Sequence, residues 1–151
     1  MADITIDQVK SLRDETGLSV ADIKKALTEA GGDVAKAREL LASRGGDIAA
    51  KKAGRELKAG VVDSYIHTNK LCGCMLELLC ETDFVSRGEV FQALAHDICL
   101  HITAMKPQNV EELLAQPFIK NPEQTIQDVI TSLVAKLGEN IQVGKFELFQ
   151  I

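Results

Sequence analysis

Asp83 and Phe84 stand side by side in the stretch CETDFVSRGEVF, Cys80 to Phe91, where one of the most apolar runs of the chain gives way to a helical pattern. A carboxylate at such a corner can take a proton, a metal ion or a backbone N–H, and an aromatic beside it either fills a core or anchors a partner. Glu77 and Glu81 add acidity nearby, and His67, His96 and His101 are the histidines that could join them. No nucleophile motif, no G-x-x-x-x-G-K phosphate loop and no HExxH accompanies these groups, so enzymatic chemistry on a small substrate is not expected. Cys72-Gly73-Cys74 is a C-x-C without a second close pair. Cys72, Cys74, Cys80 and Cys99 therefore read as small buried hydrophobes in a reducing compartment, with a zinc or thiol role as the remoter alternative. No metal and no cofactor is expected.

Part of the corner has a local explanation. Ser86-x-x-Glu89 has the form of a capping box, and Val85 and Val90 are spaced as a hydrophobic staple. Thr82, Asp83 and Phe84 remain. Asp83 is either a second N-cap or an exposed acid, and Phe84 either fills the corner or projects from it as a probe on a firm strand-to-helix turn.

The elements that must hold the corner are legible as two parts. In residues 1–46, Thr5-x-x-Gln8, Ser19-x-x-Asp22 and Asp33 each open a short helix, and Gly17, Gly31-Gly32 and Gly45-Gly46 close them. Ile6, Val9 and Leu12, then Val20, Ile23, Ala26 and Leu27, then Val34, Ala37, Leu40 and Leu41 form three apolar stripes that can be buried only against each other. That predicts a three-helix module of the ubiquitin-associated type. Residues 47–60 carry Lys51, Lys52, Arg55 and Lys58 without a broad apolar face and read as a charged, partly helical linker. Residues 61–151 change period: "VVDSYIH" and "KLCGCMLELLC" around Thr68-Asn69 predict a hairpin whose second strand is apolar on both faces. A helical stripe from Val90 to Ile102 follows, then a short piece at Val110 to Leu114 and a helix starting at Pro122 and ending at Gly138. "NIQVGKFELFQI" reads as a last strand bent at Gly144. The expected class is α+β, about three antiparallel strands covered by helices.

Composition bounds the partners. The chain has 151 residues, is 46% hydrophobic and carries a formal charge of −5. Its acidic balance argues against direct nucleic-acid or anionic-membrane binding. The four cations of the linker lack interleaved aromatics and read as a solvated face. With no 18-residue apolar run and no basic, apolar start to "MADITIDQVK", the expectation is a soluble, cytoplasmic protein.

"LRDETG", "DIKKALTEAGGD", "AAKKAGRE", "ETDFV" and "AKLGENIQV", in that order, resemble the bacterial elongation factor Ts family, the guanine-nucleotide exchange factors for elongation factor Tu. The resemblance covers almost the whole length. It implies a protein that is not an enzyme, binds elongation factor Tu with GDP or without nucleotide, and promotes GDP release by disturbing the magnesium and phosphate site. It further implies that Lys10, Arg13, Val20 and Ala21 of the first module dock on the partner's nucleotide-binding domain. The corner, Thr82, Asp83, Phe84 and Val85, then lies beside the partner's magnesium site, with Leu137 and Gly138 as a second touch. Here "PQNVEELLAQ" runs directly into "PFIKNPEQT", a compact layout. Compact relatives form homodimers through their small sheets, so a homodimer is expected. A protein-interaction adaptor, built on the ubiquitin-associated-like module, is the alternative.

Overall fold

The computed structural model describes residues 3–151. Helix α1 spans Ile6–Thr16 and opens with a capping box: Thr5 Oγ1 accepts from the Gln8 amide at 3.2 Å and Gln8 Oε1 accepts from the Thr5 amide at 3.0 Å. It ends at Gly17 in the left-handed region, φ 67°. Helix α2, Val20–Glu29, is capped by the Ser19 hydroxyl, and helix α3, Val34–Lys52, by the Asp33 carboxylate. Val9, Leu12, Ile23, Ala26, Leu27, Ala37 and Leu41 pack into one core, as their spacing predicts. Ile6 departs from the expected stripe and is exposed, because Ile4 of the preceding extended segment covers that edge of the core instead.

The third helix departs from its expected end. Gly45-Gly46 does not stop it; α3 continues to Lys52, through the first part of the expected linker. Neither glycine has the positive φ of a helix terminator. Gly45 is buried against α7 (Ile126–Leu137), and a Cβ there would sit 3.6 Å from that of Ala135. That is an ordinary van der Waals distance, so the packing of α3 on α7 simply reaches past the glycine pair, which local pattern cannot see.

Strand β1, Ala59–Ile66, pairs antiparallel with β2, Cys72–Cys80, through the turn that includes Lys70 at φ 64°. After β2 come the single turn α4, Asp83–Ser86, and helix α5, Glu89–Met105. Helix α6, Val110–Ala115, leads into a two-stranded ladder of β3, Pro117–Phe118, and β4, Asn121–Thr125. The helix expected from Pro122 starts instead at Ile126, where Thr125 and Asp128 form a capping box. Pro122 tempts a helix start by its fixed φ, but residues 121–125 are committed to the ladder. Strand β5, Ile141–Gln150, returns along the free edge of β2, giving the order β1-β2-β5. The β2–β5 register slips between Leu76 and Leu78, opposite Phe146 and Val143, so Gly144 lies in a bulge as expected.

The even positions of β2, from Cys74 to Cys80, face α5, whose Phe91, Leu94, Ala95, Ile98, Cys99 and Ile102 complete the second core. Cys74, Cys80 and Cys99 are part of this packing. The chain is thus α+β, a small antiparallel sheet covered by helices on one face. Among the described residues every buried side-chain nitrogen or oxygen has a hydrogen-bond partner. None of the described helices is long and apolar enough to cross a membrane.

Candidate functional site

β2 ends at Cys80, buried under α5, and the backbone then turns outward. Thr82 is extended, φ −128° and ψ 155°, and α4 closes on it through Ser86 N to Thr82 O at 3.2 Å and Arg87 N to Asp83 O at 3.1 Å. The expected capping box at Ser86 does not form. Ser86 is buried and its hydroxyl donates to the Asp83 carbonyl at 3.1 Å, while Gly88 occupies the N-cap of α5 without a side-chain bond. Val90 is exposed and Val85 is buried, so the staple is absent too.

This single turn divides the corner cleanly. Val85 and Ser86 are pegged into the protein, and Phe84, between the strand end and those pegs, is 86% exposed. A single exposed apolar side chain is ordinary on a protein surface, but this ring shares its recess with the exposed Val90 and the half-buried Leu137. Asp83 is exposed and pairs with Arg87 at 3.2 Å across one turn, a pair worth little in water. Phe84, Asp83, Arg87, Val90 and Leu137 line one recess of about 480 Å³. Leu137 is the last residue of α7, and Gly138 caps that helix at φ 76°.

A hydrogen-bonded lock holds the two halves of this surface together. Glu139 Oε2 accepts from the amides of Glu81 at 3.2 Å and Thr82 at 3.1 Å, and its Oε1 accepts from the Thr82 hydroxyl at 2.6 Å. Reciprocally, Glu81 Oε1 accepts from the Asn140 amide at 2.8 Å. Asn140 is buried and donates its side-chain N–H groups to the carbonyls of Arg55 at 2.9 Å and Ala53 at 3.3 Å. Burial, and after it the Glu139 carboxylate, pushes the Cys80 thiol up. A raised, buried thiol is inert, which argues against thiol chemistry at the corner.

The sequence-derived residues therefore fall into two groups. Asp83, Phe84, Val85 and Leu137 come together around the recess, with Thr82 and Gly138 adjoining. Val85 serves it from beneath, as a buried peg. Lys10, Arg13, Val20 and Ala21 do not line it; they lie on α1 and α2 around the other core, with Lys10, Arg13 and Ala21 exposed and Val20 half-buried. Pattern reading gives Glu139 and Asn140 no role, and Glu81 only that of nearby acidity. Their only trace in sequence is a pair of carboxylates, each at the end of an element. No group of three or more His, Cys, Asp or Glu among the described residues is arranged to hold a metal ion. His67, just past β1, and His96 of α5 flank Tyr65, and His101 is buried beside Phe118.

An α+β chain with a helical module and an anchored, exposed aromatic corner has the make-up of a protein that docks on another macromolecule. A family model described as Elongation factor TS matches residues 81–151, beginning at the corner itself. The chain is similar to the elongation factor Ts of Thermodesulfovibrio yellowstonii, 41% identical over 192 residues, with 98% of this chain and 96% of that protein covered. It is 38% identical to that of Carboxydothermus hydrogenoformans over 193 residues, covering 98% and 89%, and 38% identical to that of a Cyanothece species, covering 99% and 74%. This chain belongs to the elongation factor Ts family, and its role is that of a translation elongation factor in protein synthesis. Since the alignments run over more positions than the 151 residues of the chain, they open gaps where the relatives carry residues that it lacks.

Proposed function

We propose that this chain is the guanine-nucleotide exchange factor for elongation factor Tu: it binds the GDP-bound and nucleotide-free partner and speeds GDP release without making or breaking a covalent bond. The observation that supports this most is the exposure of Phe84 on a turn pegged by Val85 and Ser86, beside Leu137.

GDP is held by its phosphates and a magnesium ion that supplies much of the local positive charge. A factor that stabilises a partner conformation with poor magnesium and phosphate geometry weakens nucleotide binding by the same ratio that nucleotide weakens its own. Phe84 supplies contact energy realised mainly in that displaced conformation, as a wedge. The Asp83 carboxylate and Thr82 stand beside it, and Leu137 and Gly138 add a second touch on the same domain. Lys10, Arg13, Val20 and Ala21 dock the N-terminal module and provide affinity that one ring cannot. The setting is the cytoplasm, where translation elongation takes place.

The same reading includes a homodimer. Val62 and Ile66 of β1, Met75 of β2 and Phe149 of β5 are exposed on the sheet face opposite α5; Ile66, Gly73 and Phe149 share one cross-strand row, while Met75 lies between Ser64 and Glu147 and Val62 opposite Glu77, an apolar face interleaved with polar groups. A second copy laid on that face would cover it. Light scattering at micromolar concentration is expected to give a dimer that Met75→Lys splits; a wild-type monomer refutes it.

The deciding experiment is release of labelled GDP from purified elongation factor Tu with and without this chain. Acceleration at sub-stoichiometric factor is expected, and an unchanged rate overturns the proposal.

A further inference from the structure

We infer that Glu139 and Asn140 are positioning residues that hold Phe84 and Leu137 in a single docking surface and tie that surface to the chain leaving α3. The inference rests on the exchange reading above and names what makes its wedge rigid.

Three segments far apart in sequence meet here: Ala53–Arg55 after α3, Glu81–Thr82 after β2, and Glu139–Asn140 after α7. The amides of Glu81 and Thr82 lie past the last β2 pairings, Cys80 with Ala59 and with Ile141, so no ladder partner remains for them. Orphaned donors at a strand end fray unless something accepts from them. Glu139 takes both on one oxygen and the Thr82 hydroxyl on the other. Thr82 is the N-cap of α4, yet its side chain makes no capping bond to that turn. Its hydroxyl is instead committed to Glu139, so the start of α4 is fixed from outside, by the α7–β5 turn. Glu81 returns the bond to the Asn140 amide, and its carboxylate lies 3.7 Å from the Arg55 guanidinium. Because Phe84 is almost wholly exposed, its own contacts do not orient it. Its direction is inherited from the backbone that Glu139 holds, and an anchor already in place loses less freedom on docking.

The test is a double-mutant cycle read in the saturation curve for GDP release from elongation factor Tu. Glu139→Ala is expected to lower the maximal release rate about tenfold while the half-saturating concentration, set largely by the N-terminal module, stays within about twofold. Glu139→Gln retains an oxygen for both amides and presents an NH₂ to the Thr82 hydroxyl, so it restores release to within about twofold of wild type. In the Phe84→Ala background, Glu139→Ala adds less than about twofold further loss, because it acts through the ring. Additive losses, or a Gln variant as poor as Ala, overturn the inference. Should Glu139→Ala fail to fold, Thr82→Val, which removes only the 2.6 Å bond, takes its place in the cycle. Independently, the Glu81 and Thr82 amides of the wild-type chain are expected to exchange slowly with deuterium, and free-peptide exchange refutes the lock. If the wild-type chain leaves GDP release unchanged, the exchange reading fails while amide protection still reports whether the lock exists.

Discussion

Replacing Phe84 with alanine separates a docking ring from a structural one, because the two readings differ in where the loss is felt. The ring is 86% exposed, so nearly all of its surface remains to be covered when a partner arrives. Full burial of such a side chain contributes roughly 1.5 to 3 kcal/mol, and each 1.4 kcal/mol is about a factor of ten. Phe84→Ala is therefore expected to lower the efficiency of GDP release by about ten- to a hundredfold. The same exposure sets the other half of the expectation: little contact is lost in the free protein, so its stability changes by no more than about 0.5 kcal/mol. For a chain of this size that is a shift of about 1 to 2 °C in the melting midpoint. The assay is stopped-flow release of a fluorescent GDP analogue from elongation factor Tu, with a thermal melt of each factor alongside. Unchanged release with an unchanged melt refutes the wedge. A melt lowered by about 10 °C shows instead that the ring belongs to the fold.

Gly46→Ala, in the interior of α3 with nothing within 4 Å of the added Cβ, is expected to stabilise by about 0.5 to 1 kcal/mol; a lower melting midpoint would show that the backbone there needs glycine. Gly17→Ala is expected to destabilise by about 1 to 2 kcal/mol, measured by urea midpoint, because Gly17 has φ 67° and its Cβ position lies 2.7 Å from the Lys136 side chain. Adding Lys136→Ala is expected to recover only the clash, a minor part since that side chain can swing aside, and full recovery would refute the strain argument. His101 is held below the usual histidine range, chiefly by burial against a smaller opposing effect of its bond to Gln116. The unfolded chain takes up that proton near about pH 6.5 and the folded one only lower, so stability is intact above that pH and falls through the window beneath it. The Ile119 amide donates to His101 Nδ1 at 3.2 Å, so protonation also breaks the bond to the β3–β4 turn. The urea midpoint should drop between about pH 7 and pH 5, and His101→Gln should flatten the drop.

What could be read from sequence was what is decided within a few residues. Thr5 with Gln8, Ser19, Asp33, Gly17 and Gly138 cap the helices as their types and spacing require, since the cap and the group it satisfies are neighbours. The alternation in β2 was legible for the same reason, and so was the bulge at Gly144. Ser86 shows where that reasoning fails: its type and spacing suit a cap, but a nearer carbonyl takes the hydroxyl. Gly45-Gly46 fails differently: α3 runs straight past it, packed on α7, a helix far away in sequence. Spacing alone could not say whether Phe84 points in or out, because both states fit one residue between a strand and a helix. The residues raised that question, the family resemblance favoured the outward state, and the buried Val85 and Ser86 beside an exposed ring give it physical content.

Helix α7 ties the two cores together. On one side it meets the N-terminal module: the Lys136 stem lies over Gly17, and Ala135 packs against Gly45. At its C-terminal end it provides Leu137 to the recess, and just past its Gly138 cap the chain provides Glu139 to the corner. Asn140 then reaches back to the carbonyls of Ala53 and Arg55, just past the end of α3. The path between Lys10 and Phe84 is therefore not a flexible tether, because α3 and α7 close it into a loop of direct contacts. On the exchange reading this has an energetic consequence. Docking of the first module would deliver Phe84 at a fixed position, so the ring's contact energy opposes nucleotide without first ordering a linker.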